Sequence, residues 1–61
     1  MDMIAALEMA IADEKEAVDK YRECAANAED AETRLMFEQL AREEESHYKR
    51  LQERLRALKT L

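Results

Sequence analysis

Apolar side chains recur along this chain in two heptad-spaced blocks, interrupted once, and that pattern constrains its fold more than any other feature. In the first block Ile4, Ile11, Val18 and Ala25 occupy one core column and Leu7, Glu14, Tyr21 and Ala28 the other. Met3, Ala10, Ala17 and Cys24 widen the stripe into the broad apolar face of a bundle helix rather than a narrow two-stranded seam. The second block repeats the scheme with Phe37, Glu44, Leu51 and Leu58 in one column and Leu40, His47, Arg54 and Leu61 in the other, flanked by Ala41, Tyr48 and Leu55. Between them, at Asn27 to Glu32, the period lapses and turn-forming and capping residues gather.

The residues between and around these columns favour helix. Glycine and proline are absent, and β-branched residues are confined to Ile4, Ile11, Val18, Thr33 and Thr60. The sequence therefore predicts an all-α chain, with 1-61 a single helical-hairpin domain: helix 1 at about 3-27, a turn at about 28-30 and helix 2 at about 31-59. Asn27 suits a left-handed helix end, and Asp30 suits the N-cap of the second helix with Glu32 in its first turn.

A hairpin of two helices, each about 40 Å long at 1.5 Å per residue, covers only one side of each apolar face. A chain of 61 residues cannot build a large core alone, and a single cysteine, Cys24, offers no internal disulfide. A partner or a metal must supplement the fold. The expectation is a homodimer in which two antiparallel hairpins form a four-helix bundle, alone or within a larger ring of dimers. The net charge of −5 disfavours nucleic acid and anionic membrane surfaces as partners. The start of the chain has no basic signal region, and its apolar stretch is broken by Glu8, so the expectation is a soluble cytoplasmic chain without a membrane span.

Three ionisable residues interrupt the core columns near mid-helix: Glu14, Glu44 and His47. Burying uncompensated carboxylates costs several kcal/mol each, roughly, so their placement calls for a reason. Glu44 and His47 lie three residues apart on one helical face and can converge on one ion. Folding at residues 28-30 brings Glu14 opposite Glu44. A two-fold axis then assembles four glutamates and two histidines, the ligand set of a carboxylate-bridged di-metal site, in which two divalent ions shared between the chains neutralise the carboxylates. Oxygen-rich ligands with one imidazole per ion suit iron(II) or manganese(II), with zinc as a substitute.

Simpler readings stand beside this one. A lone histidine on an apolar face is commonly a satisfied core residue, and buried Glu and His can serve only to fix the register of a non-catalytic homodimeric interaction module. Tyr21, one heptad from Glu14, is either a hydrogen-bond donor to a ligating carboxylate or a core tyrosine, and Tyr48 shares that ambiguity. Cys24 reads as a small core residue and Arg54 as a side chain reaching solvent near the bundle end. The acids Asp13, Glu16, Glu43 and Glu45 form a solvated face that could also guide metal inward.

At these residues the chain resembles a half-unit of the ferritin-like superfamily, of the rubrerythrin and encapsulated-ferritin kind. The segment Glu14-Lys15-Glu16-Ala17-Val18-Asp19-Lys20-Tyr21 with Cys24-Ala25-Ala26 resembles the first metal helix, and Phe37 through Glu44-Glu45-Ser46-His47 resembles the second. The resemblance spans about residues 8-58. It implies an iron centre that reacts iron(II) with dioxygen or peroxide in ferroxidase, iron-storage or detoxification chemistry, with Glu44 bridging and Glu14 terminal. It also admits a peroxide scavenger fed by an external electron donor, because one cysteine cannot supply the paired Cys-x-x-Cys motifs of a rubredoxin module. Ferritins and rubrerythrins carry four helices in one chain, whereas this sequence encodes two, as in encapsulated ferritins, which assemble the site between subunits. That similarity implies a possible encapsulin shell as partner and compartment. The further C-terminal helix and targeting tail of that group do not lie within these 61 residues, and Lys20 stands where that group often has an aromatic residue.

Overall fold

The computed structural model describes residues 2-61. Two antiparallel helices, α1 (Met3–Asn27) and α2 (Ala31–Lys59), pack along their lengths into a slab of 47 × 17 × 11 Å. Among the described residues there is no strand, and no helix is long and apolar enough to cross a membrane.

Each helix starts on an aspartate, whose carboxylate satisfies one of the free N–H groups of the first turn. Asp2 Oδ1 accepts from the Ala5 N–H at 2.7 Å, and Asp30 Oδ2 from the Thr33 N–H at 2.9 Å. The end of α1 differs from the left-handed cap suggested by Asn27. None of the described residues has positive φ; Ala28 turns extended instead, at φ −69° and ψ 133°. A left-handed non-glycine residue costs about 1–2 kcal/mol, which an extended alanine avoids while leading the chain toward the Asp30 cap. Asn27 turns its side-chain amide back to the Glu23 carbonyl at 3.0 Å.

The seam between the helices is narrow and built of small side chains. Val18, Ala25 and Ala41 are the only buried residues among those described. Tyr21 stacks on Phe37 with centroids 6.1 Å apart, and Arg22 pairs with Glu45 on the outer flank of the seam. Leu7, Ile11, Leu40, Leu51, Leu55 and Leu58 are only half-buried. The hairpin thus hides one edge of each apolar stripe and leaves the remainder as an open face.

Candidate metal centre

Glu14, Glu44 and His47 meet at mid-length on that open face, each held by an uninterrupted helix. Three donor atoms, one from each residue, lie within 4.8 Å of one another. His47 Nδ1 stands 3.6 Å from Glu14 Oε2 and 3.7 Å from Glu44 Oε2. These separations exceed hydrogen-bond range. They match two ligands on one ion, since atoms about 2.0–2.2 Å from a metal sit up to roughly 4.3 Å apart.

The electrostatics of the cluster show what it lacks. Glu14 Oε2 is shut off from solvent and accepts no hydrogen bond, although the Glu14 side chain as a whole keeps 25% of its exposure. A hydrogen bond between the Glu14 and Glu44 carboxyls exists only when one of them carries a proton. That bond is the largest cause holding the Glu14 pKa above the usual carboxylate range. Burial and the Glu44 charge raise it further, while His47 pulls it down. A cation here would satisfy the orphaned oxygen and remove the repulsion, so the donor set fits a divalent ion.

Beside the cluster opens a cavity of about 390 Å³ lined by Leu7, Glu14, His47, Arg50, Leu51 and Arg54. Arg50, one turn from His47, is the residue that reading the sequence missed, and Arg54, exposed as expected, also borders this space. A signal for Arg54 was its place in the His47 column.

The other singled-out residues lie apart from the three donors. Asp13 and Glu16 are exposed and line a shallow recess on α1 with Ala17 and Lys20. Glu43 is exposed and accepts from Gln39 Nε2 at 3.3 Å. Glu45 pairs with Arg22 and Lys49 on the opposite flank. Tyr21 is engaged by Phe37 and by the Lys20 ammonium, 5.2 Å from its ring centroid, and no hydrogen bond joins it to Glu14 or Glu44 among the described residues. Cys24 is half-buried and free.

A helical hairpin presenting two carboxylates and an imidazole from facing helices defines a ferritin-like, rubrerythrin-like carboxylate protein. The chain belongs to the rubrerythrin family, whose family model matches residues 5–60. Rubrerythrin-type domains bind iron. No curated protein and no solved structure matches the chain.

Proposed function

We propose that two copies of this chain form a four-helix bundle holding two iron ions at their interface, with Glu14, Glu44 and His47 of each chain as ligands, and that the assembly oxidises iron(II). The convergence of these three side chains around an orphaned Glu14 oxygen carries the proposal. Three protein donors leave an ion coordinatively incomplete, and a second chain supplies the carboxylate that bridges two ions. In this reading Glu44, with His47 one turn away, would be the bridging ligand and Glu14 the terminal one.

Iron supplies the redox chemistry. Oxidation of two iron(II) held there would supply the two electrons that, with two protons, take dioxygen to hydrogen peroxide or hydrogen peroxide to two waters. The chain's own carboxylates would set the spacing of the ions and offset their charge, and Leu7 and Leu51 line the space beside them.

Aerobic addition of iron(II) to metal-free protein tests this. Oxidation should outpace buffer, and thermal stability should rise with about one equivalent of metal per chain. Oxidation at the buffer rate without stabilisation would leave the alternative of a structural dimer whose Glu and His only fix register. Comparing turnover with dioxygen and with peroxide identifies the preferred oxidant.

A further inference from the structure

Two arginines share a cavity with the metal donors, and nothing beside them matches the charge they bring. Arg50 and Arg54 lie one turn apart on α2 and line, with Leu7, Glu14, His47 and Leu51, the space of about 390 Å³ that opens next to the cluster. Like charges at that spacing repel. Among the described residues no carboxylate stands within ion-pair distance of either guanidinium. Glu14, the acid that lines the cavity, is taken up with Glu44 and His47.

A bound metal sharpens the imbalance. Ionised Glu14 and Glu44 offset one divalent ion, which leaves the charges of Arg50 and Arg54 in surplus on each chain. A small dianion with oxygen donors restores the balance.

The space itself selects among such anions. At about 30 Å³ per water it has room for roughly a dozen waters, more than one tetrahedral oxyanion fills, and Leu7 and Leu51 give it apolar walls. A short dicarboxylate matches these features together: its methylenes suit the leucines, one carboxylate suits the planar fork of guanidinium donors, and the other is left for the ion, which three protein donors do not saturate. The larger recess on the outer flank, of about 420 Å³, lacks this character. It has Arg22, Arg34 and Arg42, but Glu38 and Glu45 stand among them, and Glu45 already pairs with Arg22.

We propose that the cavity beside Glu14 and His47 binds a short dicarboxylate together with the metal, with Arg50 and Arg54 holding one carboxylate and the ion taking the other. This rests on the metal reading above and adds the class of anion that accompanies the ion. Binding of the two is reciprocal, each tightening the other by the same factor. Iron(II) presented with a dicarboxylate is then held more tightly than the bare ion.

Zinc, which has no redox chemistry, lets binding be measured apart from activity. Calorimetric titration of succinate into zinc-loaded protein should show binding about tenfold or more tighter than to metal-free protein, and tighter than that of acetate or inorganic phosphate by a similar factor. Arg50→Gln and Arg54→Gln should each weaken succinate about tenfold while zinc content per chain stays at the wild-type level. Arg42→Gln, in the outer recess, should leave succinate binding unchanged. Zinc-loaded protein that ignores succinate, or binds it equally well after both cavity substitutions, overturns the dicarboxylate site and leaves the metal centre standing. Phosphate bound as tightly as succinate overturns the class of anion, and an equal loss in Arg42→Gln overturns the cavity as its location. Failure to take up zinc at all overturns the metal reading and this one with it.

Discussion

Glu14 is the residue whose chemistry a bound metal would change most. Its pKa lies above the usual glutamate range in the folded chain, chiefly through the hydrogen bond that a proton shared with Glu44 would make. A carboxyl with a raised folded pKa binds its proton more tightly when folded. The metal-free protein should therefore lose stability as pH rises from the ordinary glutamate range through the raised pKa, and regain it as pH falls. Metal should abolish that dependence; thermal melts of both forms across pH check this. Glu14→Gln should raise the melting temperature of metal-free protein, by about 4–8 °C for each kcal/mol of relieved repulsion, while weakening metal binding. If the centre is shared as proposed, His47→Ala and Glu44→Ala should each empty it, read as metal content per chain falling to near zero.

At the scale of the element, each helix depends on its first turn and on the small residues in the seam. The Asp30 carboxylate is held below the usual aspartate range by the Thr33 backbone N–H, with the Thr33 hydroxyl assisting. Its contribution is present above the ordinary aspartate pKa and lost as pH falls through the lowered one, opposite in sign to that of Glu14. Asp30→Ala should remove this cap and lower the denaturant midpoint of unfolding. Ala41 occupies the tightest point of the seam, at 4% exposure. Ala41→Leu should push the helices apart and destabilise by about 1–3 kcal/mol, displacing Glu44 from Glu14 and weakening metal binding as well. The Arg22–Glu45 pair is exposed on one side, so its removal should cost no more than about 1 kcal/mol.

At the scale of the whole molecule, a hairpin with three buried residues among those described has little core, and its stability should come from association. Unfolding temperature should therefore rise with protein concentration and rise again with metal; circular dichroism melts over a hundredfold range of concentration check this, and a concentration-independent midpoint would argue for a stable lone hairpin. The charge pattern fits such an assembly: among the described residues Glu43, Arg50 and Arg54 have no ion-pair partner in their own chain, while the outer flank is already served by Arg22, Glu45 and Lys49.

The sequence alone determined the helical hairpin, because heptad spacing, the absence of glycine and proline, and a single lapse in the apolar period admit few other folds. It also singled out Glu14, Glu44 and His47, since charged side chains in apolar columns stand out without any coordinates. Only the tertiary structure decided how α1 ends, because an extended alanine and a left-handed asparagine differ by local backbone energies that the surrounding turn selects. It alone showed that the three donors share one depth, that Glu14 Oε2 has no hydrogen-bond partner, and that Arg50 and Arg54 line the same cavity. Periodicity assigns a residue to a face; depth and distance follow from how far one helix slides along the other, and the packing of Val18, Ala25 and Ala41 sets that.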